Sequence, residues 1–106
     1  MNSKRLESMT RALESQFEKM QISLSDAQID SFKIGVRYLE DIYDIIYERY
    51  KKLLRDPVAL PWEDSGMDLL WRGRDYFLLM VVQDPDSSPE YIFYNRVLHK
   101  CDTGKL

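Results

Sequence analysis

Residues 25–55 carry two apolar stripes at helical spacing, and this pattern constrains the fold more than any other feature of the chain. One stripe recurs every three or four residues and consists of Ile29, Phe32, Val36, Leu39, Tyr43, Ile46, Tyr50 and Leu53. The second stripe lies beside it and consists of Ile34, Tyr38, Ile42 and Ile45. A helix with this much apolar circumference must be covered on two sides. Since a chain of 106 residues has few elements to do so, we expect the helix to need a partner.

The two ends of this helix carry recognisable signals. Ser25 is followed three residues later by Gln28, which is the pattern of a capping box. Basic residues in the last turn and the following Asp56-Pro57 predict the end at residue 55. A shorter amphipathic pattern predicts a first helix over residues 3–20. Because a short turn joins the two, we expect an antiparallel helical hairpin.

The period changes from helical to extended after residue 66. Arg72-Gly73 predicts a tight hairpin turn, and the turn formers of residues 84–89 predict a second one. The expected result is a three-stranded antiparallel meander over residues 67–98, followed by a tail over residues 99–106. We therefore predict a single α+β domain over residues 1–106, with the order helix, helix, strand, strand, strand and the helical hairpin packed on one sheet face.

The middle strand is apolar on both faces. Tyr76, Leu78, Met80 and Val82 alternate with Phe77, Leu79 and Val81. The helical hairpin covers one face only. The other face needs either the long helix curled around it or a layer from a second subunit.

Composition and charge argue against several classes of function. The formal net charge is −3 and the long helix carries Glu40, Asp41, Asp44 and Glu48, so a nucleic-acid partner is disfavoured in spite of the seven tyrosines. The single cysteine permits neither an internal disulfide nor a cysteine cluster for zinc. No apolar run is long enough for a membrane helix or a secretory signal. We expect a cytoplasmic protein that binds neither nucleic acid nor membrane.

Candidate catalytic and metal-binding residues have simpler explanations. His99 and Cys101 lie two residues apart, but the sequence offers no evident third residue to orient them. Glu40, Asp44 and Glu48 align at four-residue spacing without the histidines of a di-metal site, which favours a solvated charged face. We therefore predict that the protein is not an enzyme and has no cofactor.

The second half of the chain resembles small uncharacterised bacterial α+β proteins. The resemblance covers roughly the last third to half of the chain. It rests on Leu60-Pro61, on Gly66-Met67-Asp68-Leu69-Leu70-Trp71, on residues 76–82 and on residues 91–94. It implies a helical segment, a loop that contains proline, a glycine before a Leu-x-Trp-like strand, and two further strands in a meander. This chain lacks the doubled glycine expected before the first strand, and the resemblance implies no activity.

The apolar surplus predicts a function in protein association, as a homodimer or as a small adaptor or inhibitor of another protein. The predicted interface residues are Ile34, Tyr38, Ile42 and Ile45 on the helix and Phe77, Leu79 and Val81 on the sheet. Gly35 supports close approach at this part of the helix, toward either a partner or the first helix. Packing within the core is the competing explanation of the helical stripes. The competing function is the binding of a small apolar ligand between helix and sheet.

Overall fold

The computed structural model describes residues 3–106 and shows an α+β fold. The helices are α1 (Ser3–Met20), a one-turn 3-10 helix (Gln21–Ser23), α2 (Asp26–Arg37) and α3 (Leu39–Tyr50). The strands are β1 (Val58–Trp62), β2 (Gly66–Arg72), β3 (Tyr76–Val82), β4 (Glu90–Asn95) and β5 (Lys100–Lys105). They form one antiparallel sheet in the order β1-β2-β3-β4-β5. The order of helices before strands agrees with the prediction.

The sheet has five strands, so the prediction of three was wrong. The first missing strand, β1, contains Pro61, which argues against a strand when read from sequence alone. The proline is tolerated because β1 is an edge strand. Helices hold this strand in place: the Gln16 side chain accepts from Ala59 N at 2.8 Å and donates to Pro57 O at 2.8 Å. These contacts join residues more than 40 positions apart, and no local pattern predicts them.

The second missing strand, β5, lies in the segment predicted as a tail. Its sequence is polar and its side chains are mostly exposed, so it lacks the alternation by which strands are recognised. Asn95 Oδ1 accepts from the backbone N–H groups of Val97 and Leu98, both at 3.0 Å, which forms the turn into β5. Tyr91 packs against Gly104, where a Cβ would come within 2.5 Å of the tyrosine ring. Pairing with β4 therefore determines the formation of β5.

The predicted helix of residues 25–55 is two helices. Tyr38, with φ −95° and ψ 5°, separates α2 from α3, and its N–H donates to Gly35 O at 3.2 Å. This hydrogen bond spans three residues, whereas those of a regular α-helix span four, so it interrupts the helical hydrogen-bond pattern. α3 then ends at Tyr50 rather than at residue 55, because Lys51 adopts a left-handed conformation with φ 56°. The predicted capping box at Ser25 and Gln28 is confirmed, with bonds of 3.0 and 2.9 Å.

The first hairpin turn is also displaced from its predicted position. Arg72 belongs to β2, and Gly73, Arg74 and Asp75 connect it to β3. Gly73 N donates to Tyr76 O at 3.0 Å. The Tyr76 ring lies where a Cβ on residue 73 would be, so the turn requires glycine because of close approach.

The core lies between the helices and one face of the sheet. α2 packs on β2 and β3, and the Cβ of an alanine at Gly35 would lie 3.1 Å from Leu69 Cδ1. Gly35 therefore allows close approach to the sheet of its own chain. At the other end of the layer, the Tyr50 ring stacks on Phe93 with 3.9 Å between centroids. α1 contacts α2 through stacked rings of Phe17 and Phe32, 4.7 Å apart.

Candidate protein interface

The side of the sheet opposite the helices, which we call the open face, is the strongest candidate site. Leu69, Leu78 and Phe93 point into the core, so their strand neighbours point the other way. The open face consists of Val58, Leu60 and Trp62 (β1), Asp68, Leu70 and Arg72 (β2), Phe77, Leu79 and Val81 (β3), Glu90, Ile92 and Tyr94 (β4), and Cys101, Thr103 and Lys105 (β5). The described helices pack on the opposite side.

An apolar row crosses the centre of the open face. The strand register places Val58 beside Leu70, Leu70 beside Leu79, and Leu79 beside Ile92. Thr103 ends the row on β5. Four adjacent apolar side chains in one row form a continuous surface, because neighbouring strands are only about 4.8 Å apart.

Among the apolar side chains of strands β1 to β4 on this face, exposure is greatest on β1. Val58 is 48% exposed, Leu60 40% and Trp62 53%. Phe77, Leu79 and Val81 are half-buried, and Leu70 is nearly buried although it lies outside the core cluster. Neighbouring apolar side chains on a flat sheet shield one another, but no second layer covers them in the described chain. A partner surface would remove this apolar area from water.

Asp68 stands out within this apolar face. It lies between Leu60 and Val81 in the row beside the central one. Its Oδ1 is buried and has no hydrogen-bond partner among the described residues. Desolvation raises the pKa of this carboxyl above its ordinary value. A carboxylate oxygen in this setting gains free energy from any donor that reaches it.

Arg72 lies on the same strand and face, on the other side of the central row. It is exposed and pairs across the sheet with Phe77. Four residues of a strand separate the backbones of Asp68 and Arg72 by about 13 Å, too far for a direct ion pair within the chain. Strand β2 therefore presents one negative and one positive group on opposite sides of the apolar row, while Glu90 and Lys105 form a separate pair at 3.9 Å on β4 and β5.

The structure brings the predicted sheet residues together and separates them from the predicted helix residues. Phe77, Leu79 and Val81 are neighbours on the open face. Ile42 is fully buried in the core, and we leave it out of the candidate interface. The remaining helix residues, Ile34, Tyr38 and Ile45, are half-buried against the core on the far side of the sheet.

Two of these helix residues line a cleft of their own. Ile34 and Tyr38 lie with Arg37 and Asp41 opposite the loop of residues 85–89, around a volume of about 450 Å³. Its lining is largely polar, and the two apolar side chains also pack on the core. The apolar side chains of the long helical segment are thus largely buried within the chain, whereas those on the open face of the sheet are not covered.

Sequence reasoning missed most of the open face. Val58, Leu60 and Trp62 alternate with period two, which is a strand signal, but the extended pattern is predicted to begin only after residue 66. Leu70 and Ile92 were placed on strands but could not be assigned a face without the register. Asp68 carries no signal in the sequence, because its isolation results from neighbours on two other strands.

Other predicted chemistry does not converge on a site. His99 Nδ1 lies 3.3 Å from the Tyr94 hydroxyl, and Cys101 is exposed on the open face. Within residues 3–106, no cluster of three or more histidine, cysteine or acidic side chains could hold a metal ion. No helix in the described part of the chain is long and apolar enough to cross a bilayer. Between helices and sheet, where the competing hypothesis places a small apolar ligand, Leu69, Leu78 and Met80 are fully buried.

Comparisons with known proteins give no match: no family model, no curated protein and no solved structure matches the chain. The resemblance to small bacterial α+β proteins therefore stays a prediction. The geometry of the open face is the observation from which we infer a function.

Proposed function

We propose that this chain is a non-catalytic protein-interaction module and that the open face of its sheet is the surface that binds a protein. The observation that supports it is the apolar row Val58, Leu70, Leu79 and Ile92, which the described helices leave uncovered. Burying apolar surface is the dominant favourable term in protein association. The proposal includes self-association as a homodimer and association with another protein as an adaptor or inhibitor.

The open face has the layout of a protein interface. The apolar row occupies its centre, while charged groups such as Arg72, Glu90 and Lys105 lie toward its borders. Protein interfaces commonly have this arrangement of an apolar centre and a polar rim. Phe77 and Tyr94, which are cross-strand neighbours, add the aromatic area that is enriched at binding hot spots.

The test is the substitution Leu79→Lys at the centre of the row. Leu79 is half-buried, so a lysine there can extend its ammonium to solvent in the free chain, but the charge would be buried in a complex. The matched control is Ile22→Lys, because Ile22 is 95% exposed on the 3-10 helix, away from the sheet. Circular dichroism checks that both variants are folded.

Sedimentation equilibrium over a range of concentrations and binding of an environment-sensitive apolar dye are the two readouts. We expect the wild type and Ile22→Lys to self-associate and Leu79→Lys to remain monomeric. A monomeric wild type that binds the dye, with loss of dye binding in Leu79→Lys, would indicate a different protein partner on the same face. A monomeric wild type that binds no dye would overturn the proposal.

A further inference from the structure

We infer that the occupant of the open face is a second copy of this chain, bound face to face about a two-fold axis that runs along the apolar row, and that Asp68 of each copy pairs with Arg72 of the other. This inference rests on the proposed function. It specifies the partner, the symmetry and the ion pair that defines the orientation.

The edges of the sheet are poorly suited to association, which leaves its face. On β1, the outward N–H of Ala59 is already bonded to Gln16, and Pro61 has no N–H to offer. On β5, Lys100 and Lys105 lie on an exposed polar strand. Proline, lysine and covering side chains are common devices that prevent edge-to-edge pairing. Neither edge offers a long apolar strand to a second sheet.

A two-fold axis along the apolar row places each apolar side chain of the row against the same residue of the second copy. On either side of the row, it places opposite charges against each other. The axis places Leu70 against its own equivalent, and likewise Leu79 and Ile92, because an isologous interface pairs each patch with itself. It also reverses the strand direction, so the row containing Asp68 lies over the row containing Arg72. Because of the two-fold symmetry, the pair of Asp68 and Arg72 forms twice in the dimer. Val81 then lies over Phe77, which extends the apolar contact.

A face-to-face two-fold arrangement with its axis along a strand is disfavoured by charge. With the axis along β3, strand β2 of one copy lies over β4 of the other, since the two flank β3. Asp68 and Glu90 occupy the same cross-strand row and would then face each other. Two carboxylates at an apolar interface repel each other and lose hydration. The open face therefore discriminates between the two orientations.

The ion pair also compensates the desolvation of the Asp68 carboxyl. Oδ1 is buried and has no hydrogen-bond partner among the described residues, but the side chain as a whole is only half-buried. A guanidinium from the second copy can donate a charge-assisted hydrogen bond to the accessible side of the carboxylate. The footprint of five strands of this length is roughly 400 Å² per copy, which is small for a stable interface. We therefore expect a dimer that dissociates on dilution.

The experiment mixes two charge-reversal variants, Asp68→Arg and Arg72→Asp. Alone, each variant places like charges opposite each other at both symmetry-related positions, and we expect its association to be weakened roughly tenfold or more. Mixed in equal amounts, the two chains restore opposite charges at both positions. We expect the mixture to associate with an affinity close to that of the wild type. Sedimentation equilibrium measures the affinity, and native mass spectrometry distinguishes the mixed dimer because the two chains differ in mass.

The matched control replaces Arg72→Asp with Arg74→Asp. Arg74 is an exposed residue of the turn between β2 and β3, and its substitution changes the net charge equally. In a mixed dimer with Asp68→Arg, one position keeps an Asp68–Arg72 pair and the other places two arginines opposite each other. Arg74→Asp alone keeps both pairs, so it should form homodimers in preference to the mixed dimer. Circular dichroism of each single variant checks that it is folded, since binding to the second variant could also stabilise a partly unfolded chain.

The outcomes separate the inference from the proposed function. If the wild type dimerises and Leu79→Lys does not, but the charge-reversal mixture stays monomeric, the two-fold arrangement is wrong and the open face remains the binding surface. If either single variant dimerises as tightly as the wild type, the ion pair is also overturned. A wild type that never dimerises contradicts the second copy as the occupant. The dye experiment then tests whether the open face is a binding surface for a different protein.

Discussion

Asp68 shows how one residue on a sheet face can oppose the stability of the single chain. Its carboxyl lies between apolar neighbours, and desolvation raises its pKa. A raised pKa means that the folded chain holds this proton more tightly than the unfolded chain does. The contribution of Asp68 to stability is therefore most favourable at acidic pH, below the unfolded pKa, and is lost as the pH rises through the folded pKa.

We predict that Asp68→Asn stabilises the dilute, monomeric chain at neutral pH. The gain should be up to about 1 kcal/mol, since water still screens part of the side chain, and it should shrink toward acidic pH as the wild-type carboxyl takes up its proton. Urea denaturation at a series of pH values measures it, with exposed Asp30→Asn as the control. The same substitution should weaken dimerisation, because the amide cannot replace a carboxylate opposite Arg72. A variant less stable than the wild type at neutral pH would contradict this account of Asp68.

Among the elements, β1 depends most on tertiary contacts. Gln16 of α1 bonds to both Pro57 O and Ala59 N, and Ser31 of α2 donates to Ser65 O at 2.6 Å in the turn that follows the strand. Gln28 donates to Glu63 O in the same turn at 2.6 Å. Helices thus hold both ends of a strand whose own sequence contains a proline.

We predict that Gln16→Ala destabilises the chain by about 1–2 kcal/mol, because it removes two partly buried hydrogen bonds and leaves a backbone N–H and a carbonyl without partners. Urea denaturation measures the loss. Hydrogen exchange should be faster at Ala59 than in the wild type. Gln21→Ala, at an exposed position of the 3-10 helix, is the control and should change neither quantity. Unchanged exchange at Ala59 in the Gln16 variant would show that β1 does not depend on this contact.

The sequence predicts those elements whose signals are local. The capping box at Ser25 and the alternation in β3 are complete within a few residues, and both are found in the structure. The end of α2 at Tyr38 and the strand β5 have no such signal. Tyr38 sits in an uninterrupted helical pattern, and β5 is polar and forms through pairing with β4. Pairing with β4 therefore determines β5, whereas the break at Tyr38 is a local change in backbone hydrogen bonding that the side-chain pattern does not show.

For the whole molecule, the excess of apolar residues has two different outcomes. The excess on the long helical segment is largely absorbed, since the break at Tyr38 leaves Ile42 and Ile46 fully buried in the core. The excess on the sheet remains at the surface, where Phe77, Leu79 and Val81 were predicted from alternation alone. The remainder of the open face could not be predicted, because it requires β1 and the register of four strand pairs.

We propose that the open face is the surface that becomes covered when this protein associates. Hydroxyl-radical footprinting with mass spectrometry tests it most directly, because it reports the exposure of individual side chains at low and at high protein concentration. We predict that Leu60, Phe77 and Leu79 become protected as concentration rises, whereas Ile22 and Tyr47 on the helical side stay equally reactive. Protection of the helical residues with an unchanged open face would contradict the account.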